Sequence, residues 1–60
     1  MDNKEYYLKL LQRSEQIEMT EGLSPMAWDD VVWHIHYLTD DFHMSLEELK
    51  VLFPHLIYEY

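Results

Sequence analysis

Residues 24–38 read Ser-Pro-Met-Ala-Trp-Asp-Asp-Val-Val-Trp-His-Ile-His-Tyr-Leu, and the fold class depends on whether this stretch forms a helix or a strand. Ser24-Pro25 is a helix start signal, because serine accepts free amide hydrogens of the first turn and proline needs no donor there. An apolar stripe at helical spacing follows, made of Trp28, Val31, Val32, Ile35 and Leu38. The start signal and the stripe agree, so the stretch predicts a helix over 25–39.

A strand over residues 31–38 is the alternative for the same stretch. Trp33, Ile35 and Tyr37 alternate with His34 and His36, and the segment is rich in β-branched side chains. The prediction of a helix therefore depends on the start signal that precedes the alternation.

The flanking segments also predict helices. Residues 3–19 carry a helical stripe that ends before Gly22, and Ser45-Leu46-Glu47-Glu48 is a capping box that opens a short helix limited by Pro54. We expect an all-α fold: one compact three-helix mini-domain over 1–60, with helices at 3–19, 25–39 and 46–53. The tail, residues 55–60, either packs across the helices or forms a strand. The expected core is Leu10, Leu11, Ile17, Trp28, Val31, Ile35, Leu38, Leu49, Leu52, Phe53 and Ile57.

Negative charge dominates the chain. The chain has twelve acidic residues and four Lys and Arg, which gives a net charge of −8. Residues 14–60 contain ten of the acids, and Lys50 is the single Lys or Arg among them. Such a body repels nucleic acid and anionic membranes and is attracted to basic protein surfaces. The N-terminus lacks the apolar core of a signal peptide, and no apolar run approaches the ~20 residues that span a bilayer, so we expect a cytoplasmic protein.

Three acidic doublets suggest that the chain binds a basic surface: Asp29-Asp30, Asp40-Asp41 and Glu47-Glu48. Carboxylates held apart on a helical body can be bound by a basic groove as substitutes for phosphates, and exposed aromatic rings beside them are typical of an interface hot spot. The alternative is a solvated face whose acids favour helix starts and solubility. The candidate interface consists of Asp29, Asp30, Trp33, Asp40, Asp41, Glu47, Glu48, Tyr58 and Tyr60, with further acids at Glu15, Glu18 and Glu21.

The sequence supports an enzyme or a metal site less well than it supports a binding protein. Cysteine, Gly-rich loops and nucleophile motifs are absent, so we expect neither an enzyme nor a cofactor. If the second helix continues through Phe42, His36, Asp40 and His43 share one face at the spacing of zinc ligands. A metal-dependent regulator built on these three residues is the alternative function.

Two short segments resemble known families without assigning one. Ser45-Leu46-Glu47-Glu48-Leu49 resembles the opening of the second helix in many helix-turn-helix domains, but no basic recognition helix follows, which argues against DNA binding. Leu56-Ile57-Tyr58 is similar to a tripeptide of the nuclease-colicin immunity proteins, which are small acidic helical inhibitors. The composition resembles that of bacteriophage-encoded inhibitors, including anti-CRISPR and anti-restriction proteins.

These observations lead to one functional expectation. We expect an inhibitor or regulator that occupies a basic, nucleic-acid-binding surface of a partner protein by mimicking nucleic acid, without binding nucleic acid or membrane itself. A homodimeric scaffold subunit with no inhibitory role is a further alternative.

Self-association is the second expectation. A domain of 60 residues buries only about 60% of its unfolded surface, and without cysteine no disulfide supplements the core. We therefore predict a homodimer that buries surplus aromatic side chains against its own copy. Sedimentation equilibrium tests this prediction. A monomer at high protein concentration, with an unfolding midpoint independent of concentration, would rule it out.

Overall fold

Three α-helices make up the chain between residues 3 and 57, the range that the computed structural model describes. They are α1 (Asn3–Thr20), α2 (Pro25–Asp40) and α3 (Leu46–Leu52), and no strand occurs within the described range. The predicted all-α class is confirmed, and the strand alternative for 31–38 is wrong. No helix in residues 3–57 is long and apolar enough to cross a membrane.

Serine caps begin α2 and α3 as the sequence predicts. The Ser24 hydroxyl accepts the amide hydrogen of Ala27 at 3.2 Å, and Pro25 occupies the first helical position. The Ser45 hydroxyl accepts the amide hydrogen of Glu48 at 3.1 Å. Each bond satisfies an amide that would otherwise lack a helical acceptor, and therefore fixes where its helix starts.

The turn between α1 and α2 depends on glycine and on an acidic side chain. Gly22 has a φ of 84°, which favours glycine, and its amide donates to the carbonyl of Ile17 at 3.0 Å. A carboxylate oxygen of Glu18 accepts the amide hydrogen of Leu23 at 2.7 Å. Glu18 was expected among the surface acids, but the structure uses it to close this turn.

The core lies between the three helices and the segment after α3. Leu11, Val31, Leu38, Leu49 and Ile57 are almost completely buried. Trp28 and Ile35 are half-buried and pack against this group, whereas Leu10 and Ile17 are half-buried elsewhere on α1. Met44, Phe53 and Leu56 complete the core, and Met44 and Leu56 were not predicted.

The prediction that Leu52 belongs to the core is wrong, because this residue is 53% exposed. The chain leaves the helical conformation at Phe53, whose amide still donates to the Leu49 carbonyl at 2.7 Å. A turn then follows in which the amides of Leu56 and Ile57 both donate to the Phe53 carbonyl at 3.1 Å. Leu56 and Ile57 thereby cover the core, and Leu52 stays outside. The tail prediction of packing across the helices is confirmed as far as Ile57, and residues 58–60 lie outside the described range.

Aromatic rings connect α1 to α2 near one end of the molecule. Tyr7 on α1 stacks on Tyr37 of α2 with ring centroids 5.3 Å apart and planes inclined by 6°. The same tyrosine lies 5.3 Å from the ring of His34. Such aromatic pairs add stability beyond the area that they bury, and here they orient α2 against α1.

A buried carboxylate joins α1 to the turn after α3. Glu15 is only 6% exposed, and its two oxygens lie 3.1 and 3.2 Å from the backbone amide nitrogen of His55, which donates to them. Oε1 also lies 2.5 Å from Nδ1 of the His55 ring. The contact spans 40 residues of sequence. Glu15 was expected as a surface acid, so this buried role is a correction.

We predict that Glu15→Ala destabilises the fold by about 1–3 kcal/mol, because it leaves a part-buried amide without its acceptor. Glu15→Gln keeps one side-chain oxygen and should lose less. His55→Ala keeps the backbone donor and should also lose less. Urea denaturation followed by circular dichroism measures each change.

Glu21→Ala is the matched control, since Glu21 is an exposed acid in the turn after α1. Its unfolding free energy should stay within about 0.5 kcal/mol of the native chain. A Glu15→Ala variant as stable as this control would show that the contact with His55 does not hold the tail.

Candidate interaction surface

One face of α2 carries exposed aromatic and acidic side chains together. Trp33 is 64% exposed, and it lines an open depression of about 150 Å³ with His36, Tyr37, Asp40 and Asp41. A second depression continues along the helix and is lined by Asp29, Val32, Trp33, His36 and Asp40. The two share three residues and form one surface, which we call the α2 groove.

Helical periodicity explains why these side chains point outward. Val31 and Leu38 are buried, and Ile35 is half-buried and packs against the core. One side of α2 therefore faces the core. Residues three or four positions apart share a face of a helix. Asp29, Trp33, His36 and Asp40 follow this spacing on the opposite side, and therefore line up along the groove.

Tyr37, which lines the groove, is held in place by Tyr7 of α1. Its ring is 44% exposed, while stacking on Tyr7 restricts its rotation. The amide of Asp41 donates to the carbonyl of Tyr37 at 2.9 Å, which ties the end of α2 to the same residue. One aromatic ring of the groove is thus held in position in the unbound chain.

The acids of the groove form no ion pair with a lysine or arginine of the described residues. Lys9 pairs with Glu5, and the His55 ring contacts Glu15; neither contact involves Asp29, Asp40 or Asp41. Asp29, Asp40 and Asp41 are all exposed. Their charge is therefore available to a molecule that approaches from outside.

Two of the acidic doublets lie at opposite kinds of helix end, where the helix dipole has opposite effects on negative charge. Glu47 and Glu48 lie in the first turn of α3, where the helix dipole favours negative charge. Asp40 ends α2 and Asp41 is its C-cap, and no basic residue lies in the last turn of that helix. Negative charge at a helix C-terminus is unfavourable. Local stability therefore accounts for Glu47 and Glu48 but not for Asp40 and Asp41.

The remaining residues of the predicted interface fall into three groups. Asp30 is exposed on α2 but does not line the groove, and together with Asp29 it lies beyond the first turn of α2, where the helix dipole has faded. Glu47 and Glu48 are exposed on α3, outside the groove. Tyr58 and Tyr60 lie outside the described residues.

Sequence reasoning missed three lining residues: Val32, His36 and Tyr37 were not assigned to the interface. Val32 was expected in the apolar stripe, yet it is 48% exposed. The spacing of three and four residues around Trp33 is the signal that would have identified His36 and Tyr37.

The histidines do not form the metal-ligating face of the alternative function. That face required α2 to continue through Phe42, but the helix ends at Asp40 and His43 has a φ of 57°. The left-handed residue turns the chain so that the Met44 amide donates to the Leu38 carbonyl at 3.0 Å. Among residues 3–57, no group of three or more His, Cys, Asp or Glu side chains is placed to hold a metal ion.

Comparison with known proteins gives no precedent for this surface. The chain matches no protein-family model, and no curated protein or solved structure is significantly similar to it.

Proposed function

We propose that this chain is a small acidic inhibitor or regulator that binds a basic surface of a partner protein. The partner is a nucleic-acid-binding protein, and the chain occupies the surface where phosphates would lie, as phage-encoded inhibitors of the anti-CRISPR or anti-restriction type do by nucleic-acid mimicry. The observation that carries the proposal is the placement of Asp40 and Asp41, without a lysine or arginine partner among the described residues, beside the exposed indole of Trp33.

The two acids at the end of α2 oppose the helix dipole. An acid in the last turn of a helix costs about 0.3–1 kcal/mol relative to a favourable charge there. Asp40 and Asp41 both lie at that end, with no basic residue in the last turn to offset them. A basic partner would turn this local cost into an attraction, because its cations would lie against both the carboxylates and the helix C-terminus.

Long-range charge points to the same class of partner. The net charge of −8 attracts a basic surface and accelerates encounter with it, while it repels nucleic acid directly. A groove that evolved to bind a phosphate backbone is a basic surface of this kind. Binding to the protein rather than to its nucleic acid follows from the sign of the charge.

The exposed aromatic rings supply apolar contact area, which charged groups do not provide. Buried Trp and Tyr rings dominate many protein interfaces, and a polar rim excludes water around them. Trp33 and Tyr37 are exposed, with Asp29, Asp40 and Asp41 around them. This arrangement matches an aromatic centre with an acidic rim.

We predict that neutralising Asp29, Asp30, Asp40 and Asp41 together to Asn weakens binding to the partner and reduces its salt dependence. Each charge pair that becomes buried in the complex should cost about 2–5 kcal/mol when broken. The partner is first recovered by affinity capture from the native host. Competition between this chain and the partner's nucleic acid is then measured at several salt concentrations.

Trp33→Ala provides the contrasting variant. It should raise the dissociation rate with little change in the salt dependence, because it removes packing and not charge. Circular dichroism confirms that both variants fold. If the partner binds the four-fold Asn variant as tightly as the native chain, the acidic surface is only a solvated face and the proposal fails.

A further inference from the structure

We infer that the α2 groove is a receptor for an arginine side chain of the basic partner. The inference depends on the proposed function, because it specifies which group the partner inserts and where. It extends that function from a charged surface to a defined site, lined by Trp33, His36, Tyr37, Asp40 and Asp41.

The groove combines the two features that a guanidinium group recognises. Trp33 and Tyr37 expose aromatic rings, on which a planar guanidinium stacks. Asp40 and Asp41 bring carboxylates to the same depression, and carboxylates accept paired hydrogen bonds from the guanidinium fork. A lysine ammonium is a compact, strongly hydrated charge, so it would use the carboxylates but gain less from the rings.

Preorganisation strengthens the case for a site. The Tyr37 ring is held by stacking on Tyr7, and the Asp41 backbone is bonded to the Tyr37 carbonyl. One aromatic ring and the backbone of one acid are thus fixed relative to each other before a ligand arrives. A preformed site loses less conformational entropy on binding.

Charge complementarity selects arginine over the other occupants. A phosphate or an acidic peptide would meet three exposed carboxylates, at Asp29, Asp40 and Asp41, and be repelled. An uncharged apolar side chain would leave those carboxylates without partners. A second copy of this chain is the remaining competitor, since it carries an exposed arginine, Arg13, and self-association is predicted; the Arg13→Ala variant distinguishes it from the partner.

The experiment titrates the ¹⁵N-labelled full chain with two peptides of equal charge, Gly-Arg-Gly-Arg-Gly and Gly-Lys-Gly-Lys-Gly. The indole N–H signal of Trp33 reports on the groove. Trp28 is half-buried against the core, and its indole signal is the internal control. We expect the arginine peptide to shift the signals of Trp33, Asp40 and Asp41, and to bind about two- to five-fold more tightly than the lysine peptide.

Two pairs of variants separate the groove from general charge. Asp40→Asn/Asp41→Asn should weaken the arginine peptide about three- to ten-fold. Glu47→Gln/Glu48→Gln removes the same net charge outside the groove and should change the affinity less than about two-fold. Trp33→Ala should abolish the preference for arginine, whereas Val51→Ala, at another exposed apolar position, should preserve it.

The outcomes distinguish this inference from the function on which it depends. Equal binding of the two peptides, equal losses in the two acid variants, or no shift at Trp33 would each overturn the arginine site. The proposed function would survive those results if the captured partner still lost affinity with the four-fold Asn variant. A Trp33 shift that grows with protein concentration and disappears in Arg13→Ala would identify the occupant as a second copy, and would also overturn the inference.

Discussion

The contact between Glu15 and His55 is the constraint on which the three-helix arrangement depends. α3 has seven residues, and isolated helices shorter than about 12–15 residues are marginal in water. It needs tertiary support. The buried carboxylate of Glu15 accepts the His55 amide hydrogen, which holds the turn after α3 against α1. That turn presents Leu56 and Ile57 to the core, so one polar contact positions apolar side chains that a helix alone would not place.

The acids of this chain perform different physical tasks, although composition treats them alike. Glu15 and Glu18 accept backbone amide hydrogens and close the fold. Glu47 and Glu48 lie where the helix dipole favours them. Asp40 and Asp41 lie where the dipole opposes them. A uniformly solvated surface would not require charge at an unfavourable position, and this contrast is why the proposed function centres on the end of α2 rather than on net charge.

The small core explains why aromatic rings remain at the surface. Three short helices enclose Leu, Val, Ile, Met and Phe side chains, and Trp28 is accommodated only at the edge of that group. Trp33 lies on the side of α2 that faces away from Val31 and Leu38, and Tyr37 stays 44% exposed although it stacks on Tyr7 of α1. The helix that builds the core therefore also displays the groove, so a partner that binds the groove contacts a rigid element.

Local sequence determined the elements of this protein, and the tertiary structure decided the roles of its side chains. Ser24-Pro25 and Ser45-Leu46-Glu47-Glu48 predicted where α2 and α3 begin, because caps act over a few neighbouring residues. The exposure of Trp33 and the acidic doublets were also accessible from helical spacing. The burial of Glu15 and the exposure of Leu52 were not, because each depends on contacts between residues that are distant along the chain or on how the chain turns back over the core. Periodicity identifies the face on which a residue lies, and only packing decides what that face meets.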